Sequence, residues 1–169
     1  MDRIVKFVLV ISDIIDRIAG SICIFLGIGM TVIVVVSVFF RYVLLSPLVW
    51  AEEISTFLMV WLAMMGASMG LKKNKHVGVN YIVEKLVSSK RVKKIISIIV
   101  NVLIVIFLIV MLKEGYSLSL FAKNQVSPAI GISMFWPYFG LLVGGFIMIV
   151  QVVCRIIEDF NMVVQRKTI

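Results

Sequence analysis

Cysteine is scarce in this chain, and the scarcity excludes thiol and redox chemistry. Only Cys23 and Cys154 occur; they form no CxxC pair, and each falls inside an apolar run where a thiol packs as a small hydrophobe. Histidine is scarcer still. The single one, His76, excludes a two-histidine haem site, and no His/Cys/carboxylate cluster has metal-ligand spacing. No Walker A loop, GxSxG or HExxH is present, so the residues point to no enzyme and no cofactor. Acid is in short supply too, with 9 Asp and Glu against 17 Lys and Arg, a net charge of +8. Such an excess can mark a nucleic-acid binder. Here the basic residues are not interleaved with aromatics on a soluble face but flank apolar runs, which fits topogenic charge and contact with anionic membrane lipids, and excludes nucleic acid as a partner.

Hydrophobic residues are what the chain has in abundance. They make up 62% of its 169 residues, and the mean hydropathy is +1.12. A soluble globular protein is nearer half apolar, so the composition is that of an all-α integral membrane protein. No separate soluble domain of ordinary size fits, and 1–169 read as a single membrane domain. The start, MDRIVKFVLVISDIIDR, lacks the features of a signal peptide: its apolar core is short, Asp13 and Asp16 interrupt it, and no small-x-small site follows.

The stretch from Trp50 to His76 organises the rest. Glu52 and Glu53 open an apolar run that reaches Leu71 without another charge and ends in Lys72, Lys73, Lys75 and His76. Twenty-odd residues at about 1.5 Å each span about 30 Å, one hydrocarbon core. Three further runs give spans at about 18–40, 95–112 and 134–154 beside this one at 51–71. Residues 2–17 form an amphipathic approach helix, with Ile4, Phe7, Ile11, Ile14 and Ile15 at helical spacing, that either lies in the interface or extends the first span into the cytoplasm. Pro47 breaks the chain before Trp50. The third span has Asn101 as its one strongly polar side chain, and its helix can continue past Lys113 and Glu114 toward Phe121. Between spans two and three, Val79, Ile82, Val83, Leu86 and Val87 make an apolar stripe over 77–89, too short to cross a membrane and suited to a helix lying flat at the interface.

Fourteen of the 17 basic residues fall in the N-terminal segment, the loop 72–94 and the C-terminal tail; only Arg41, Lys113 and Lys123 lie on the other side. The positive-inside rule therefore predicts four spans with both termini and the basic loop cytoplasmic.

Glu52 and Glu53 are the sharpest chemical candidates. As membrane carboxylates they can be proton or cation ligands. Alternatively they sit at a helix N-terminus, where the dipole favours acid, and pair with Arg41 across the short turn. Gly66-x-x-x-Gly70 and Gly140-x-x-x-Gly144 each offer a small-residue face for close helix approach. Trp50 and Trp136 suit the membrane–water boundary, and His76 the headgroup region.

Arg41-Tyr42, Trp50-x-Glu52-Glu53, Trp61, Gly66-Ala67, Lys72 and His76-Val77-x-Val79, followed by Ala129-Ile130-Gly131-Ile132-Ser133-Met134 and Trp136-Pro137-Tyr138, recur here in an order and spacing that resembles the small (Q-type) membrane subunit of TRAP, or tripartite ATP-independent periplasmic, transporters. The resemblance covers about residues 15–155. It implies a non-enzymatic role in the inner membrane of a bacterium: a scaffold for the large membrane subunit, which holds the sodium and substrate sites, working with a periplasmic substrate-binding protein that delivers an organic anion such as sialic acid or a C4-dicarboxylate. A self-sufficient, homo-oligomeric cation-coupled carrier or channel using Glu52 or Glu53 is the alternative. Against it, no charge lies between Ile54 and Leu71.

Overall fold

The computed structural model describes residues 2–72 and 90–165. Within them lie four helices: α1 (Asp2–Tyr42), α2 (Val49–Lys72), α3 (Lys90–Ala122) and α4 (Phe135–Gln165). Each contains a stretch long and apolar enough to cross a membrane, the all-α architecture that the composition predicts. His76 and the interfacial helix expected over 77–89 lie outside the described residues.

Three of the helices run well past the spans read from hydropathy. α1 continues without a break through the approach segment and the first span. No proline interrupts it, and Asp13 and Asp16 are accommodated because both face Lys72 of α2. α3 passes through Lys113 and Glu114 to Ala122, since charge ends an apolar run without ending a helix: Lys and Glu are good helix formers. α4 continues beyond Cys154 to Gln165. At about 1.5 Å per residue, α2 measures about 36 Å and α1 about 60 Å.

Packing centres on α4. It lies against α2 on one side and α3 on the other, while α1 packs on α2 and touches α4 more lightly. Gly140 and Gly144 are the reason α2 comes close: a Cβ at Gly140 would lie 2.8 Å from the Trp61 indole, and one at Gly144 would overlap the Met64 Cβ and stand 3.2 Å from its backbone. The buried cluster is small, Leu108 of α3 with Met148 and Val152 of α4, ringed by half-buried Met64, Leu71 and Ile104. Most large apolar side chains instead face outward, Phe25, Phe107 and Phe146 among them. A surface so apolar belongs in lipid or against another apolar protein.

Two short turns lie at one end of the bundle. The α1–α2 turn is closed by bonds from the Val43 amide to the Phe39 carbonyl and from the Ser46 amide to the Phe40 carbonyl. The α3–α4 turn, residues 123–134, is longer but bonded at more points. Val126 and Ser133 form an isolated bridge, the Ser127 amide donates to Ile132 O at 2.9 Å, and Gly131 takes φ +72°, a conformation glycine adopts without a Cβ penalty.

Candidate functional site

Consecutive residues on a helix point about 100° apart, and that separation divides the two acids in the first turn of α2. Glu52 turns toward α1 and forms an ion pair with Arg41, both side chains about half exposed. An exposed pair of this kind contributes at most about 1 kcal/mol. Glu53 turns the other way, toward the α3–α4 turn. Its carboxylate accepts from the Ser127 hydroxyl, from the Ala129 amide at 3.2 Å and from the Ile130 amide at 3.2 Å. Ser127 is buried. Three donors converging on one carboxylate make a charge-assisted clamp between α2 and the turn. Sequence reasoning pairs Arg41 with either acid; the structure brings only Glu52 to Arg41 and gives Glu53 a different partner. The Glu53 oxygens are thereby committed to the protein itself, and ligating a cation there would require the turn to come apart.

Trp61 sits one layer deeper. Its indole N–H donates to the Trp136 carbonyl at 3.2 Å, its ring covers Gly140, and it leans on Phe139, which stacks with Phe135. The Trp136 ring faces outward, and Trp50 is part-exposed. Gly66 and Gly70 have no neighbour within reach of an added Cβ. The first small-residue face is thus open on the bundle surface, while the second is the α2–α4 seam.

At the opposite end a second polar knot ties three helices. The Lys72 ammonium donates to the Ser12 carbonyl at 2.9 Å and to Asp13 Oδ1 at 2.7 Å. The Ser12 hydroxyl donates to Gln151 Oε1 at 2.6 Å, and the Gln151 amide returns a longer bond to the Ser12 carbonyl at 3.4 Å. Arg155 Nη1 donates to the Leu71 carbonyl at 2.9 Å, satisfying one of the orphan acceptors at the C-terminus of α2. Sequence reasoning missed Ser12, Gln151 and Arg155 as a set. The available signal was Gln151, an amide in an apolar span one turn before Arg155. Asn101 is buried, its amide 3.5 Å from Ser97 Oγ of the same helix. Among the described residues, no group of three or more His, Cys, Asp and Glu could hold a metal ion.

Four apolar helices, with polar side chains joining them to one another at both ends, define a multi-pass membrane protein. Residues 30–162 match the family described as tripartite ATP-independent periplasmic transporters, DctQ component, and the chain belongs to that family. It is a family of transporter permease components, not of enzymes. Among its relatives, the sialic acid TRAP transporter small permease protein SiaQ of Vibrio cholerae is 30% identical over 111 residues, 64% of this chain and 62% of that protein. A putative TRAP transporter small permease protein of Haemophilus influenzae is 25% identical over 148 residues, 88% of this chain and 91% of that protein. The sialic acid TRAP transporter permease protein SiaT, also of Haemophilus influenzae, matches 69% of this chain at 25% identity, and the matched stretch is 18% of that protein. The chain thus spans less than two thirds of the SiaQ protein and nearly all of the second relative.

Proposed function

We propose that this chain is the small permease subunit of a sodium-coupled TRAP transporter that takes up an organic anion of the sialic acid or C4-dicarboxylate class, and that it serves as a fixed scaffold for the large membrane subunit. The observation that carries the reading is where the polar groups are engaged. Glu53 is occupied by the 127–130 turn, and Lys72, Ser12 and Gln151 by one another. A midplane anion site needs convergent donors that are not already satisfied, because unpaired polar groups in hydrocarbon are costly. Apart from the Lys113–Glu114 pair on the outer face of α3, the chain supplies apolar surface and stiff ends, the properties of a structural partner. The SiaT relative supports this: a segment similar to most of this chain recurs inside a much longer permease.

In this reading the turn end faces the periplasm, where a substrate-binding protein delivers its anion, and both termini and the basic segment 72–94 face the cytoplasm of a bacterial inner membrane. Trp50 and Trp136 hold the boundary against tilt. The test is co-expression with a cognate large subunit and purification through a tag on this chain. The large subunit is expected to co-elute through detergent extraction and size exclusion at a fixed stoichiometry. Elution of this chain without it, under conditions that keep both folded, would refute the scaffold role.

A further inference from the structure

α3 is out of step with the other spans, and the offset leaves a pair of charges at a depth where lipid cannot serve them. On α2, Glu53 and Lys72 bracket an uncharged run, and on α4 Trp136 and Arg155 bracket another. Each interval is 19 residues, about 28 Å of helix and one hydrocarbon core. The contacts of Gly140 with Trp61 and of Gly144 with Met64 offset the two runs by about one turn, so together they fix the membrane boundaries to within about 5 Å.

The register of α3 against α4 is set by close contacts. A Cβ at Gly145 would lie 2.8 Å from the side chains of Leu112 and Met111, and one at Gly115 would meet Leu141 and Leu142. In this antiparallel pairing Lys113 and Glu114 come level with the stretch between Leu141 and Gly145, about 10 Å inside the level of Trp136. Leu108 shares its cluster with Met148 and Val152, which continues the same register and brings Asn101 level with Arg155. The apolar residues Ile95 and Ile99, both exposed, accordingly lie beyond the boundary at the basic end. Both ends of α3 report the same shift.

Lys113 and Glu114 point away from α4, with side chains 82% and 70% exposed and 3.9 Å from each other. The usual lean of helical side chains works against escape to the headgroups. Helical side chains lean toward the helix N-terminus, and the N-terminus of α3 is at the basic end. Both side chains thus lean deeper into the bilayer, opposite to the direction in which a lysine would snorkel to the nearer interface. Charges so placed call for a protein neighbour.

The geometry points to the outer half of α3, the face of Lys113, Glu114, Ser117 and Phe121, as the surface on which the large membrane subunit packs, with hydrogen-bonding or oppositely charged side chains of that subunit at the depth of Lys113 and Glu114. This inference rests on the subunit role proposed above and adds the face and the chemistry of its partner. The cost of holding charge in hydrocarbon favours a protein occupant over lipid. The recurrence of a similar segment inside a longer permease favours it over a second copy of this chain.

A photo-crosslinking residue at Ser117, compared with one at Phe25 on the outward face of α1, tests the placement in the co-expressed complex. At least fivefold more adduct to the large subunit is expected from position 117. Equal or greater yield from position 25, an adduct of twice this chain's mass, or adducts to lipid alone would overturn it. The double variant Lys113→Leu/Glu114→Leu supplies the second arm. A face lined by lipid would tolerate leucine or gain from it, whereas a docking face should retain about a tenth of the co-purified large subunit, with helical content by circular dichroism unchanged. Undiminished co-purification overturns the proposal while leaving the subunit role intact; absence of the large subunit from the unsubstituted preparation is the distinct failure that removes both.

Discussion

Replacing Glu53 with alanine is expected to lower the stability of the purified protein by about 3 kcal/mol, while the same change at its neighbour Glu52 costs at most about 1 kcal/mol. The two acids differ in what they leave behind. Glu52 loses one half-exposed ion pair with Arg41, and water replaces it. Glu53→Ala strands the buried Ser127 hydroxyl and the half-buried Ala129 amide, while the Ile130 amide keeps its bond to the Ser127 oxygen, and a buried donor left unpaired costs about 1–3 kcal/mol. Glu53→Gln should fall between, because its carbonyl oxygen still accepts while its NH₂ group opposes donors. Thermal unfolding in detergent checks the ranking, and amide hydrogen exchange at Ala129 and Ile130 checks the cause. Equal small losses for Glu52→Ala and Glu53→Ala, with exchange unchanged, would show that the clamp does not hold the turn.

Gly144→Leu carries the other large effect. The added side chain would start inside the Met64 Cβ, with the α2 backbone directly behind it. Neither obstacle can swing away, as the end of a flexible chain could, so α2 and α4 must separate. Overpacking in a tight seam costs about 1–3 kcal/mol, and a branched side chain against backbone belongs at the top of that range. The internal control is Gly66→Leu, at a position with nothing within reach; it should leave the isolated chain as stable as before. Differential scanning of the two variants side by side measures the contrast. A destabilisation at Gly66 matching that at Gly144 would mean that the first small-residue face is also buried within the chain.

Much of this architecture is legible from residues alone, and the reasons differ between elements. Four apolar runs of bilayer length can form only helices, because a helix satisfies its own backbone in lipid. Gly140 and Gly144 lie in the seam against α2, whereas the same spacing at Gly66/Gly70 lies on the outer surface: a small-residue stripe shows that approach is permitted and does not show which neighbour takes it up. The continuation of α3 past Lys113 and Glu114 is legible and reaches Ala122; the far end of α4 is less so, since a helix outlasts its apolar run wherever the flanking residues are good helix formers. Arg41 and Glu52 are joined across a turn of six residues, 43–48, and sequence proximity suggests that pair. Glu53 and Ser127 lie 74 positions apart, and so do not announce each other. The Lys72 knot is similar, because Ser12 and Gln151 meet only once α1 and α4 have packed, 139 residues apart in the chain. The offset of α3 is invisible in hydropathy, which gives the length of each run but not its depth relative to the others.

The measurement that bears most directly on the account is uptake into liposomes under an inward sodium gradient, with labelled sialic acid and a C4-dicarboxylate as the two substrates and the binding protein on the outside. This chain alone should give uptake no higher than empty liposomes. Adding the large subunit should raise one of the two substrates at least tenfold above that level. Sodium-driven uptake by liposomes that contain only this chain would contradict the account.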